Sequence, residues 1–432
     1  MPPFFKSEFF NFEFLRVLHT AAFQGSDVGE CMEAWAEIKD GDTESWYKAW
    51  QSAAAKSEAL AVEAHSSGDL EGEKWCLFRT AHYLKSSDVF LHIDPTDDRI
   101  IPVCEKAIEV FQRGIKLLDS NVYQVEIPHE DYTLPGYLYM PTERSHMGKK
   151  IPIIINTGGF DLSREELYFF VSAGARIRGY ASLDYDGPGQ GMLLRKKGKQ
   201  LRPDWEVVIA NVLDFVYSFS SSHPELNLDV DRVALTGNSM GGYFVLRGAS
   251  DPRVDACICI DGFYDLWLII DSRFPGWFTR GWSAGWISDG FVNGVVNMIC
   301  RYDVQMAWEI HQGMWVYGVP TPADFFREMK KYTLALPEGK SELAKVKCPV
   351  LVTTPGNTLY FKPEISTHLV LNELKHLGDQ RSTWDAKGVG HGGLQGKVGA
   401  LAISHQKYFA FLDEKFGFVR GKKNNAALEE LA

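Results

Sequence analysis

The sequence has little that would seat it in a membrane, on a nucleic acid or behind a disulfide framework. No apolar run approaches the ~20 residues needed to span a bilayer. The first residues, MPPFFKSEFFNFEF, mix acids into an aromatic stretch and lack the apolar core of a signal peptide. Basic residues are outnumbered, 45 Lys and Arg against 56 Asp and Glu, giving a formal net charge of −11. That balance excludes the basic footprint of a nucleic-acid binder and argues against an anionic membrane as partner. Cysteine is sparse, odd in number at 7, and scattered, which speaks against a stapled scaffold and for a reducing, cytoplasmic setting. Cys257 and Cys259 alternate along the apolar run ACICI and read as small buried hydrophobes. No Cys/His cluster has zinc spacing, so neither a metal nor another cofactor is expected.

A chain of 432 residues that is 45% hydrophobic can build two packed domains, or one large domain with a cap. Residues 1–120 read as helical. Asp42 stands where it can cap a run over 43–66, Gly68 breaks that run, and further helices are predicted over 70–91 and 102–118. From 121 to 432 the pattern changes. Strand-like runs at 122–127 and 136–140 flank the turn PHEDYTLP, and apolar runs follow at 151–155, 181–185, 232–236, 256–260, 350–354 and 382–385. They alternate with helical stretches, among them 206–219 and 242–249. Continuous apolar strands between helices predict a mostly parallel sheet covered on both faces. An insertion over 265–337 is too long for a loop and must carry helices of its own. It holds Trp267, Trp277, Trp282, Trp286, Trp308 and Trp315. The terminal GKKNNAALEELA is polar and expected to fray.

Four motifs carry chemistry. TGNSMGG, from Thr236, sets Ser239 in a G-x-S-x-G turn between a strand and a helix. Such a turn exposes the serine oxygen and aims the Met240 N–H and the helix N-terminus at developing negative charge. NTGGFD, from Asn156, follows a strand and offers the Phe160 N–H as a second oxyanion donor. DYDGPGQG, from Asp184, is read as a turn that shapes a loop near the site. GVGHGG, from Gly388, places His391 late in the chain, as the order Ser, acid, His requires for a base that takes and returns the serine proton. Gly159 and Asp161, with Trp267 and Trp282 of the insertion, are the expected lining of the substrate pocket. The acid is the departure. It belongs after PVLVTT, and there the chain reads PGNTLYF, with Asn357 where a carboxylate is expected. An amide cannot stabilise an imidazolium as a carboxylate does. Three alternatives stand open: Asn357 itself, Asp265 after the run ACICI, and Asp379 or Asp385 on the approach to His391.

GGFDLSREE, DGPGQG and GNSMGGY together resemble the hydrolases related to 2,6-dihydropseudooxynicotine hydrolase and the fungal polyketide-shortening pigment hydrolases. The helical stretch from Ser45 through SWYKAWQSAAAKSEAL to LKSSD is similar to that family's cap. The resemblance covers about residues 40 to 415. It implies an α/β-hydrolase fold with a helical N-terminal cap and a helical insertion. It also implies Ser239 and His391 as nucleophile and base, and commonly a homodimer. The implied activity is hydrolysis of a C–C bond beside a ketone, or of an ester, in a polyketide or aromatic substrate. An acyltransferase, cyclase or lactone hydrolase on the same fold is the alternative among enzymes, and a catalytically silent binding protein the alternative outside them.

Overall fold

The computed structural model describes residues 3–142, 150–360 and 362–418. The polar tail from Gly421 lies outside the described residues. Five helices come first: α1 (Glu8–Leu18), α2 (Val28–Glu37), α3 (Thr43–Ser67), α4 (Leu70–Asp88) and α5 (Ile100–Ile115). Their ends follow from capping chemistry. The Asp42 carboxylate accepts from Glu44 and Ser45 N–H at the start of α3, and Gly68 closes it in the left-handed region at φ 77°. At the start of α1, Ser7 Oγ accepts from Phe10 N–H. Sequence reading missed α1 as a discrete helix, although Phe9, Phe10, Phe14 and Val17 recur at helical spacing and are buried.

An eight-stranded sheet follows, in the order β1-β2-β4-β3-β5-β6-β7-β8. Its strands are β1 (Val122–His129), β2 (Tyr132–Tyr139), β3 (Ile151–Thr157), β4 (Ala181–Tyr185), β5 (Leu228–Asn238), β6 (Ala256–Ile260), β7 (Val350–Pro355) and β8 (Arg381–Ala386). β1 and β2 pair antiparallel, β2 meets β4 antiparallel, and every later pairing is parallel. The first hairpin is tighter than PHEDYTLP suggests. His129 pairs with Tyr132 across Glu130 and Asp131, and Glu130 takes the left-handed conformation at φ 51°. Every residue of β3, β4, β6 and β7 is buried, as continuous apolar runs covered on both faces require.

The α1–α5 helices do not stand apart from the sheet. Phe10, Phe14, Trp46, Trp50 and Phe90 form an aromatic cluster continuous with Tyr137 and Tyr139 of β2, Phe169, and Trp308 of the insertion. Between β6 and β7 the insertion forms helices Leu266–Arg273, Gly276–Ser283, Asp289–Cys300, Val304–Tyr317 and Pro322–Met329. Trp308 Nε1 donates to Val89 O at 2.6 Å, which ties the insertion to the N-terminal helices. Among the described residues no helix is long and apolar enough to cross a membrane.

Candidate active site

β5 gives way to the helix Met240–Gly248 at Ser239, which has φ 56° and ψ −114°. A serine in that region is strained and persists only where its surroundings enforce it. Here they do. Ser239 N–H donates to Ile260 O at 2.8 Å, fastening the turn to the end of β6. A Cβ on Gly241 would come within 2.6 Å of Thr157 O, and one on Gly159 within 2.8 Å of Asn238 O. The Ser239 turn and the turn after β3 are therefore in contact, and only glycine fits between them. Met240 is the first residue of its helix, so its N–H has no partner within the helix and sits at the positive end of the dipole.

The turn after β3 is oriented by a residue that sequence reading had given no role. Gln190, buried in DGPGQG, donates from Nε2 to both Gly158 O and Gly159 O at 2.8 Å. Its Oε1 accepts from Gly187 N–H at 2.9 Å, which fixes which way the amide points. In a trans peptide the carbonyl and the following N–H point oppositely. Holding these two carbonyls thus turns the Gly159 and Phe160 N–H groups away from Gln190. The available signal was a buried-turn glutamine beside glycines, next in space to a glycine pair that must be aimed.

Ser239, Met240, Gly159, Phe160 and Asp161 all border one cavity, with about 1160 Å³ of empty space counted to its open mouth. Its wall is mainly apolar, including Phe12, Phe263, Phe274, Trp308, Tyr317 and Phe325; the charged groups Arg16, Asp161, Arg273 and Glu309 are exceptions. Arg273 is paired with Glu309. Among the described residues no cluster of three His, Cys, Asp or Glu could hold a metal.

Other expected site residues lie elsewhere. Trp267 and Trp282 do not line the cavity. They pack on each other at 5.8 Å between centroids, and Lys330 Nζ stands 4.2 and 4.6 Å from the two rings. This is internal packing of the insertion, and Trp308 is the tryptophan that reaches the cavity. His391 ends the short turn Val389–His391, is exposed, and does not border the cavity. Asn357 is also exposed, but its N–H donates to Gly393 O at 2.8 Å, so the turn after β7 and the histidine turn are neighbours. Asp265 is occupied otherwise: its carboxylate accepts from Trp267 N–H and Thr333 Oγ1, capping the first insertion helix. Asp379 and Asp385 are exposed.

A buried acid at the end of the strand beside β5 is Asp261, a residue the sequence reading passed over in favour of Asp265. It follows β6 directly, at φ 49°. Its carboxylate accepts from Thr353 Oγ1 at 2.6 Å and Gly396 N–H at 2.8 Å, and it pairs with the buried Lys397 Nζ at 2.7 Å. Gln395 Nε2 donates to Asp261 O, and Asn238 Nδ2 donates to Gly396 O. Asp261 and Asn238 together fasten the segment that follows His391 to the end of β6 and to the Ser239 turn, and Gln395 and Gly396 of that segment border the cavity. An acid placed directly after an apolar strand was the signal for it.

A serine on a strained turn between a parallel strand and a helix, facing a cavity roofed by inserted helices, defines the α/β-hydrolase fold. The solved 2,6-dihydroxy-pseudo-oxynicotine hydrolase shares it, with a TM-score of 0.67 at 17% identity over 92% of this chain and 95% of that one. No family model matches the sequence. The chain is 47% identical over 418 residues to the 20-hydroxy-prefusarin hydrolase FUS2 of Gibberella moniliformis, covering 96% of this chain and 98% of that protein. It is 48% identical over 422 residues to hydrolase LUC6 of a Fusarium species, covering 97% and 99%, and 44% identical over 422 residues to alpha/beta hydrolase psoB of Aspergillus fumigatus, covering 96% and 95%. The chain belongs to this family of fungal α/β-hydrolases and is an enzyme of the hydrolase class.

Proposed function

We propose that the enzyme hydrolyses a carbonyl-linked bond, C–C beside a ketone or C–O of an ester, in a mostly apolar polyketide-type or aromatic substrate. Ser239 is the nucleophile. The observation that carries this reading is Ser239 at its strained turn, bordering an apolar cavity together with Met240 and Phe160. Ser239 Oγ attacks the carbonyl carbon and passes its proton to a base. The new oxyanion is held by the Met240 and Phe160 N–H groups. Collapse breaks the C–C or C–O bond, and the leaving group takes the proton back. Water then attacks the acyl-serine, gives its proton to the base, and the acid departs as Ser239 is reprotonated. A C–C bond can break in this way only if the leaving carbanion is stabilised, which calls for a β-dicarbonyl or an electron-rich aryl ketone.

His391 is our candidate for the base, on the strength of chain order and its glycine flanks. From its exposed position it serves only if the turn from Gly388 to Gly393 folds inward over Ser239, which its glycines allow. The relative named for 20-hydroxy-prefusarin supports a small organic substrate. The apolar wall gives a second reading some weight: an acyl acceptor other than water, as in a transferase or cyclase, is favoured where water is scarce. All seven cysteines are free, which supports a reducing cytoplasmic location. The homodimer is tested by sedimentation equilibrium.

The deciding experiment is covalent labelling. A fluorophosphonate should add to Ser239, located by peptide mass, and Ser239→Ala should lose labelling and turnover of a 4-nitrophenyl ester while keeping the parental melting temperature. Labelling at another residue, or activity retained in Ser239→Ala, overturns the assignment.

A further inference from the structure

Helix α1 reaches the active site, although it lies far from the site motifs in the sequence. Phe12 and Arg16 of α1 border the cavity. The Arg16 side chain is 12% exposed, and its guanidinium forks between two carboxylates. Nη1 donates to Asp161 Oδ2 at 2.5 Å and Nη2 donates to Glu166 Oε1 at 2.9 Å. Asp161 is the residue after the oxyanion donor Phe160. Glu166 is itself built into the local backbone, since its Oε2 accepts from Ser163 N–H at 3.0 Å. One cation therefore spans both ends of the segment that continues the oxyanion turn.

The charges around this fork are unequal. Glu13 of α1 lies 3.3 Å from Arg16, and Lys85 of α4 lies 3.9 Å from Glu166. Burial opposes ionisation of Asp161, yet Arg16 beside it holds its pKa below the usual carboxylate range. Glu13 is pushed up to about 7 by burial, despite the same arginine. Arg16 is thus committed chiefly to the segment 161–166. Gln190 braces the start of the turn from the core side at Gly158 and Gly159. Arg16 braces its far side, past Phe160, from the N-terminal helices.

We propose that Arg16 is a positioning residue: through Asp161 and Glu166 it fixes the Phe160 N–H that stabilises the oxyanion, so that the chemical step depends on the docking of α1. This rests on the reading of Ser239 as nucleophile and Phe160 as oxyanion donor. Arginine suits the role because its planar fork can hold two acceptors at set angles, which a lysine point charge cannot.

The test uses the full chain, with fluorophosphonate labelling rate, kcat and KM for a 4-nitrophenyl ester, and melting temperature. Losing an oxyanion donor costs about 10² to 10³ in turnover, which sets the ceiling. Arg16→Met and Asp161→Asn should each lower kcat and labelling rate by about 10²-fold with KM nearly unchanged. Arg16→Lys should recover part of that loss. The double variant should be no slower than Arg16→Met alone, because the Asp161 contact is one of those that Arg16→Met already removes. If Arg16→Met does not fold, Arg16→Lys and Asp161→Asn carry the test. Folded Arg16→Lys and Asp161→Asn proteins that label at the parental rate would overturn the inference, as would a change confined to KM, or additive losses. A parent protein that is not labelled at Ser239 at all overturns the reading on which the inference rests, and the inference with it.

Discussion

The turn at 156–161 and the turn at 388–393 both follow the end of a strand and both are rich in glycine, yet one is buried and braced while the other reaches solvent. The first is held by Gln190 from the core, by Arg16 from α1, and by contact with the nucleophile turn. The second is closed by Gly393 N–H donating to Gly388 O at 2.9 Å and by the bond from Asn357 N–H, and Gly388, Gly390 and His391 are exposed. In the mechanism proposed above, the half of the site that would stabilise negative charge is preorganised. The half that would move the proton sits on a turn with room to rearrange. Electrostatic stabilisation works only if its dipoles are fixed beforehand, whereas a proton carrier can act from a position it visits.

The sharpest way to break this comparison is at the exposed turn. His391→Ala should lower turnover by about 10³-fold while leaving the melting temperature unchanged, because an exposed imidazole contributes little packing. Parental activity in that variant would remove His391 from the reaction. Asn357→Asp tests the same turn in the opposite direction. A carboxylate beside the histidine turn should raise turnover near neutral pH, by about tenfold or more, by favouring the imidazolium. A silent Asn357→Asp would place the orienting group elsewhere.

The braced turn can be attacked without touching Ser239. Gln190→Glu keeps shape and size but replaces the donating amide by a carboxylate that repels the Gly158 and Gly159 carbonyls. Turnover should fall by about 10²-fold with KM little altered, as expected when an oxyanion donor loses its aim. A fall in KM-linked binding alone would mean that Gln190 shapes the pocket and not the donor.

The smallest expected effect lies beneath that turn, at Asp184 in β4. Its Oδ1 accepts from Ser172 Oγ at 2.6 Å and Asn156 Nδ2 at 3.1 Å, and burial pushes its pKa up to about 8. The carboxyl is thus neutral in the fold where the unfolded chain would ionise it. The folded state binds the extra proton, so the stability it contributes declines as pH rises from 3.8 to about 8 and is flat beyond. Asp184→Asn should melt within a few degrees of the parent at low pH and should flatten the decline. Melting curves between about pH 5 and pH 9 check this, and an unchanged slope would assign the decline to other groups.

What could be read from the chain alone follows how local each signal is. The parallel strands announce themselves as unbroken apolar runs, and Ser239 by glycines that must sit two residues away on either side. The same holds for Gly68 and Asp42, whose effects are confined to one helix end. The assignments that failed depend on packing between distant segments. Six tryptophans of the insertion look alike in sequence, and only the way its helices stack decides that Trp308 faces the cavity while Trp267 and Trp282 close on Lys330. Arg16 and Gln190 were missed for the same reason, since each acts on a backbone segment elsewhere in the chain. Asp261 was within reach of sequence reasoning, because it ends an apolar strand next to the nucleophile strand, but its partners Gly396 and Lys397 are visible only in three dimensions.

Helix α1 also bears on the order in which the protein is made. It leaves the ribosome well before its anchor, since the Asp161 that receives its Arg16 is synthesised 145 residues later. Until then Phe9, Phe10 and Phe14 have part of their partner surface, in Trp46, Trp50 and Phe90, but the helix has no carboxylate to anchor it against the sheet. Closing so long a span is slow, and an apolar helix that waits for it is exposed to the wrong partners. Helix α1 is then among the last elements to reach its final place, although it is made long before the segment that anchors it.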